Sequence, residues 1–495
     1  MPPVAIVFSE FISLRQVFAR NLLFVLGVNL LVKPVWIFAI DRTVQNKVGH
    51  EAFGTYQPLF NLCLIFQILL DFGINSYNSK TISEAPALLQ RRFPPMLTAR
   101  LLLIGVYALV VFAAALLAGF HHPADLALLG GIILMQAFNY LMMFFRSNVA
   151  ALQRFRLDGL LSVADRGLMI IVCGLLLLVP ATAARFSIFT FVWVQLSCYA
   201  LAALLALLAL KRISRIRIRF SFRPAELWVI MRQSFPYALL VFLMAIYMRS
   251  DSLLIERLSG AAGREQAGIY AAAYRPLDAF NMLAVLLAGI LLPLFGRMLA
   301  QKENPAVIVR LCMNLLFPLS LLMVALSVFY GTAIMQLLYP AADAYEGLVF
   351  SCLMTAVPGY TILYIYSTLL TAAGKLKTLH LISFLGIVVN VGLNLVLVPR
   401  YAALGAAVSA GITMSVLGIC FIAAAHRHIA LPHNPRWIAA QLSFGILLGL
   451  WALLLWLAPW PWLYRLLLTG AGGGLLMLLF RFISWKDLKL LLKRR

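Results

Sequence analysis

Charge is scarce in this chain. Asp, Glu, Lys and Arg make up 12% of its 495 residues, against 63% hydrophobic ones, whereas a water-soluble domain is roughly a quarter charged. No aqueous core could hide that much apolar surface, so lipid must be the solvent for most of the chain. Cysteine is sparser still. The six, Cys63, Cys173, Cys198, Cys312, Cys352 and Cys420, stand singly in apolar stretches without any CxxC spacing, which argues against disulfides or a thiolate metal site. No basic residue precedes Arg15, unlike the head of a cleavable signal, so the first helix is expected to stay in the mature protein. Gly374-Lys375 lacks the rest of a phosphate loop, so ATP hydrolysis is not expected. His121-His122 and His426 with His428 have no further ligands nearby, and no G-x-S-x-G element or soluble catalytic stretch occurs. No cofactor or metal is expected, and no enzymatic activity.

What is present is a succession of apolar stretches near the roughly 20 residues that a helix needs to cross the hydrocarbon core. They fall near 15–40, 52–76, 98–119, 126–149, 159–180, 186–210, 234–257, 269–296, 306–330, 347–371, 377–398, 404–425, 438–458 and 463–483. The expected fold is therefore an all-α polytopic membrane protein of about 14 transmembrane helices. The net charge of +23 does not point to nucleic acid, because the basic residues sit in the connections between spans. With the N-terminus placed in the cytoplasm, roughly 30 of the Lys and Arg residues fall on that side and about seven on the other, as the positive-inside rule requires. Both termini are expected to be cytoplasmic.

The most basic connection, Lys211 to Trp228, carries Lys211, Arg212, Arg215, Arg217, Arg219 and Arg223. It reads as a topology anchor and linker, with anionic lipid headgroups as a further partner. An internal repeat supports a division there. Glu51-Ala-Phe-Gly54-Thr-Tyr56 recurs as Glu265-Gln-Ala-Gly268-Ile-Tyr270, and Leu178-Val179-Pro180 as Leu397-Val398-Pro399. The two offsets are nearly equal, and six spans separate the copies, so the copies share an orientation; parallel repeats build transporters that rock two bundles about a central site. The expected organisation is a first lobe at 1–210, a basic linker at 211–233, a second lobe at 234–425, and two extra helices with a basic tail at 426–495.

A charge facing lipid near the bilayer centre costs roughly 2.5–3.5 kcal/mol even on the most lenient scale. Intramembrane charges therefore point to an internal cavity or to one another. The candidates are Lys33, Asp71, Arg249, Asp251, Arg275 and Asp278. Arg275 and Asp278 are i, i+3 on one helix and can pair locally. Arg249 and Asp251 lie about 200° apart around theirs and need different partners. If the first, seventh and eighth spans line one cavity, Lys33, Arg249 and Arg275 there face Asp251 and Asp278, a balance that favours an anion such as a diphosphate. Bland readings stand beside this one. Lys33 can snorkel to the surface, Arg275–Asp278 can be purely structural, Asp251 can serve only to pair an arginine, and Asp71, near a helix end, can be a cap. Asn390 and Asn394, at i, i+4, are suited to interhelical hydrogen bonds.

These residues carry a family resemblance. Gly49-His-Glu51-Ala-Phe-Gly54-Thr-Tyr56 followed by Leu69-Leu-Asp71-Phe-Gly73 resembles the opening helices of Wzx-type polysaccharide flippases. Asp251-Ser-Leu-Leu-Ile255 with Ala267-Gly-Ile-Tyr270 is similar to their seventh and eighth helices. Val389-Asn390-Val-Gly-Leu-Asn394-Leu-Val-Leu-Val-Pro399-Arg-Tyr401 and Gly405-Ala-Ala407 are similar to their eleventh and twelfth. The resemblance implies the multidrug/oligosaccharidyl-lipid/polysaccharide exporter superfamily: two six-helix lobes in a V, alternately open to either side of the cell inner membrane. It implies an undecaprenyl-diphosphate-linked oligosaccharide as cargo, for O-antigen lipopolysaccharide, capsule or exopolysaccharide. It further implies a cationic cavity in which Lys33, Arg249 and Arg275 bind substrate; beside it, the placement of Asp251, Asp278 and Asp71 in the helices suits them to pair charges or couple an ion. Membrane lipids, a polysaccharide polymerase and chain-length proteins are the partners to expect. Two rivals are open: a multidrug or organic-cation antiporter of the same superfamily, which would want an acid-rich cavity, and a multispanning glycan polymerase or ligase, which would want a large outer loop. No outer connection here exceeds about 16 residues, close to ordinary connector lengths.

Overall fold

The computed structural model describes residues 27–482 except 28–30, 33, 73, 76–81, 83–85, 153, 215, 217, 222, 430 and 432–434. Lys33 and most of the first expected span thus lie outside the described residues. Within them the chain is helical, as it must be where no water can satisfy backbone N–H and C=O groups. A π-helical turn, Trp36–Asp41, leads into α1 (Arg42–Ile65) and a short α2 (Ile68–Asp71). There follow α3 (Leu89–Leu117), α4 (Pro123–Ala151), α5 (Phe155–Leu178), α6 (Ile188–Ser214) and α7 (Pro224–Leu258). Next come α8 (Gly263–Ala300), α9 (Ala306–Leu338), α10 (Ala344–Met354) and α11 (Val357–Ala372). The last are α12 (Leu376–Ile429), α13 (Pro435–Leu457) and α14 (Trp462–Leu479).

Ten of the helices in the described residues are long and apolar enough to cross a membrane, and the expected spans between residues 98 and 458 fall on described helices, 347–371 on two of them. The 54 residues of α12 hold two spans. The helix breaks at Ala402, whose φ is 48°, and its arms fold back so tightly that a Cβ on Gly405 would lie 2.5 Å from the Leu397 carbonyl oxygen. That break exposes backbone groups, and two side chains meet them. Gln266 of α8 accepts from the Ala403 N–H at 3.3 Å, and the Tyr345 hydroxyl of α10 accepts from Leu404 N–H at 3.4 Å. The Tyr345 hydroxyl itself donates to Gln266 Oε1 at 2.7 Å.

The chain divides into two compact units, residues 1–242 and 243–495, with the division inside α7, beyond the basic segment 211–233. In the first unit α4 packs along α6, and a core of Phe93, Phe144, Phe145, Leu97 and Leu210 lies between α3, α4 and α6. In the second, α8, α11 and α12 pack together, while α13 and α14 lie on α9 around Phe444, Leu448 and Met477. Asp343 opens α10 by accepting the Glu346 N–H at 2.9 Å, a capping arrangement that the Asp-x-x-Glu spacing encodes.

Candidate functional site: charges inside the helices

The second unit holds four of the expected site residues, and it sorts them into two clusters. Arg249, on α7, meets Asp278, on α8, at 3.7 Å, and Arg275 meets the other oxygen of the same carboxylate at 3.8 Å. The Asp278 carboxylate thus lies between two guanidinium groups. Both separations exceed the roughly 2.7–2.9 Å of a charge-assisted hydrogen bond. Arg249 has no hydrogen-bond acceptor among the described residues, and its side chain is 28% exposed. Its guanidinium lies 5.7 Å over the Tyr274 ring. The Tyr274 hydroxyl reaches the Met248 carbonyl at 3.3 Å and the Tyr360 hydroxyl at 3.4 Å, which fixes the ring on which the arginine rests. The result is a cationic group that is held in place by an aromatic face yet still has N–H donors to offer.

Asp251 lies on the opposite side of α7 and makes a different environment. Its Oδ2 accepts from the Tyr270 hydroxyl at 2.7 Å, and Oδ1 accepts from the amides of Asn390 at 3.0 Å and Asn394 at 2.8 Å. Ser250 donates to Asn390 Oδ1 at 3.2 Å, and Ser409 to the Asn390 carbonyl at 3.2 Å. Asp251 is 4% exposed and both asparagines are fully buried. The reading in which Asp251 pairs an arginine is therefore corrected: it binds neutral donors, because two residues along a helix turn it away from Arg249. The Glu-x-x-Gly-x-Tyr motif gains a physical meaning in the same stroke. Gln266 closes the break in α12, and Tyr270, one turn on, holds Asp251.

In the first unit Asp71 is not a cap alone. Its Oδ1 accepts from the Asn75 N–H at 3.2 Å and also from Arg100 at 2.8 Å. Arg100 is fully buried, reaches Asn75 Oδ1 at 2.7 Å and the Leu70 carbonyl, and lies 5.4 Å over the Phe144 ring. It thereby satisfies the end of α2, where Phe72 turns into left-handed φ at 44°. Arg166, on α5, is wedged between two rings, 5.2 Å from Trp36 and 5.6 Å from Tyr199, with Asp165 at 3.6 Å. Trp36 is itself stacked on Phe191 at 6.0 Å. Arg100 and Arg166 are not among the candidates that the sequence offers, and both lie within helices. The signal was present in the Asp165-Arg166 pair, which stands well inside the span 159–180. No cluster of three His, Cys, Asp or Glu suited to a metal occurs among the described residues.

The chain's relationships agree with this architecture. The structure is similar to "Lipid II flippase MurJ, inward closed conformation", with a TM-score of 0.73 and 14% identity over 94% of this chain and 99% of that one. It is similar to an inward-facing multidrug resistance MATE family transporter of the MOP superfamily, with a TM-score of 0.61 and 15% identity over 80% and 95%. A MOP superfamily transporter from Pyrococcus furiosus, described by a reversed polarity of its binding pocket, gives a TM-score of 0.55 and 16% identity over 84% and 95%. At these identities the likeness is one of fold. No curated protein matches the chain by sequence. The family model for polysaccharide biosynthesis proteins matches residues 18–299, more than half of the chain. The chain, a multi-pass membrane protein with the fold of MurJ and the MATE transporters, belongs to the polysaccharide biosynthesis protein family.

Proposed function

We propose that the protein is a flippase that moves an undecaprenyl-diphosphate-linked oligosaccharide across the cell inner membrane by alternating access, for O-antigen or related surface polysaccharide. The observation that carries the reading is the shared carboxylate of Asp278. Two arginines inside apolar helices reach one carboxylate at 3.7 and 3.8 Å, neither closely bonded to it, and a diphosphate offers the oxygens that guanidinium forks match. Family membership and the flippase fold supply the context. In this reading Lys33, Arg249 and Arg275 hold the diphosphate, Asp278 orients the two arginines, and Tyr274 keeps Arg249 from collapsing onto lipid.

Asp251 is the coupling group. Its carboxylate is out of reach of the arginines, so a proton or cation taken up there changes what Tyr270, Asn390 and Asn394 donate to, and with it the packing of α7, α8 and α12. Asp71, tied to Arg100, has a charge-pairing role in the first unit. Cytoplasmic termini follow from the basic-residue asymmetry, and polymerase and chain-length proteins would receive the flipped product.

The test is passage of a lipid-linked oligosaccharide across proteoliposomes, with wild type compared with Arg249→Ala, Arg275→Ala and Lys33→Ala. Loss of transport in folded variants is expected. Normal rates in all three would remove the anion site, and export of a cationic dye by the wild type would favour the antiporter.

A further inference from the structure

A second charged site lies in the second unit, away from these clusters, where α9 ends, α10 begins, and α13 turns into α14. A cavity of about 640 Å³ opens there, lined by Tyr330, Gly331, Leu348, Trp456, Trp462 and Arg465 among others. Its shape has local causes. Helix α9 is kinked at Tyr330, with φ −127° and ψ 15°, and the Tyr330 hydroxyl is held by Thr469 of α14 at 3.0 Å. Beside the kink α9 and α10 touch through Gly331, where a Cβ would come within 2.8 Å of the Gly347 carbonyl oxygen. The Ser351 hydroxyl donates to the Ser327 carbonyl at 2.6 Å. The wall is therefore close-packed and hydrogen-bonded.

One charge faces this largely apolar space. Arg465 donates through one terminal nitrogen to the Trp456 carbonyl at 2.6 Å, which anchors it across the α13–α14 turn. Its Nε is buried and has no hydrogen-bond partner. No acid lines the cavity, and no carboxylate among the described residues pairs with Arg465. It is also one of the few basic residues on the side of the membrane that the positive-inside rule leaves poor in charge, so topology does not explain it. As the fourth residue of α14 it lies within about 5 Å of the helix end, at headgroup depth, beside two tryptophans of the kind that mark the interface.

We infer that this cavity is a site for a resident anionic phospholipid of the leaflet opposite the termini, with its phosphate on Arg465 between Trp456 and Trp462. One acyl chain would descend along Leu348 and the kinked end of α9. A phosphate oxygen supplies an acceptor for the terminal guanidinium N–H groups that the Trp456 carbonyl leaves unused, and a net negative headgroup supplies the missing countercharge. The occupant would brace the α13–α14 hairpin against α9 and α10. The site involves none of the residues assigned to transport, so it stands or falls apart from the flippase reading.

The test is native mass spectrometry of the purified full-length protein in detergent, titrated with phosphatidylglycerol or phosphatidylcholine. Wild type is expected to hold one phosphatidylglycerol in preference to phosphatidylcholine. Arg465→Gln should weaken that binding about tenfold. Leu348→Trp, which fills the groove but keeps the arginine, should abolish it, and this variant decides the matter if the first does not fold. Phosphatidylglycerol binding unchanged in folded Arg465→Gln or in Leu348→Trp would overturn the proposal. So would displacement of phosphatidylglycerol by equimolar undecaprenyl diphosphate, which would make the cavity a station for cargo.

Discussion

Arg249 and Asp251 stand two residues apart on α7 and live in opposite worlds. The arginine is half-buried, and its contacts to Asp278 and Tyr274 are long. The aspartate is buried, and its three contacts lie between 2.7 and 3.0 Å. Short bonds to a buried group mean that the group is part of the packing, whereas long ones at an open edge mean that it can change partner. The same helix thus carries a tightly bonded face, which only a proton or cation at Asp251 would rearrange, and an open face with room to change partner, and each variant below bears on that division.

The largest effect is expected at the tightly bonded face. Asp251→Ala leaves the Tyr270 hydroxyl and the Asn390 amide without an acceptor and the Asn394 amide with only Asn390 Oδ1, at a cost of about 3 kcal/mol or more. Thermal unfolding in detergent should show a clearly lowered midpoint, with transport lost in consequence. Asp251→Asn keeps the shape and removes the ionisable group. It should restore much of the midpoint yet leave transport indifferent to the proton or cation gradient. If Asp251→Ala unfolds like wild type, the face is not tightly bonded and the comparison fails.

Arg249→Ala should behave in the opposite way. Its half-exposed ion pair is worth about 1 kcal/mol or less to stability, so the unfolding midpoint should hardly move. Flipping should fall on the order of tenfold or more if a charge-assisted contact to the diphosphate is lost. Arg249→Lys restores charge without the planar fork or its rest on Tyr274, so it should recover only part of the rate. A full recovery would show that charge alone matters.

The two copies of the repeat differ just as instructively. Glu51 to Tyr56 and Glu265 to Tyr270 share their spacing, but the position of Gln266 is Ala52 in the first copy. The first unit accordingly ends α5 by other means: Val179 is extended, and Thr182 donates its hydroxyl to the Leu176 and Val179 carbonyls at 2.8 and 3.0 Å. At the offset that relates the Leu-Val-Pro segments, Asn390 and Asn394 correspond to Ile171 and Leu175, which are 60% and 59% exposed. The polar cage therefore belongs to the second unit, and the first places Arg166 between aromatic rings instead.

This contrast explains what the sequence could and could not reveal. Apolar runs, the positive-inside asymmetry and the charges of α7 and α8 are local or periodic signals, so the helices and the Arg275–Asp278 neighbours could be read directly. The Asp278 bridge between α7 and α8, and the Asp251 cage spanning α7, α8 and α12, depend on which faces meet in space. Helical spacing told only that Arg249 and Asp251 needed different partners. A base near the end of an apolar run, such as Arg100 or Arg166, looks the same in sequence whether it faces water or folds back onto a ring.

The finest probe of the open face is Tyr274→Phe. The substitution keeps the ring beneath Arg249 and removes only the hydroxyl that reaches Met248 and Tyr360. Two long neutral hydrogen bonds contribute about 1 kcal/mol at most, so the unfolding midpoint should shift little. If the ring acts by supporting the guanidinium through its face, flipping should stay within roughly twofold of wild type. Tyr274→Leu would then lower it further while leaving the same hydrogen bonds absent. Equal transport by the Phe and Leu variants would mean that Arg249 holds its pose through Asp278 alone, and the aromatic support would have to be given up while the division of α7 into two faces stands.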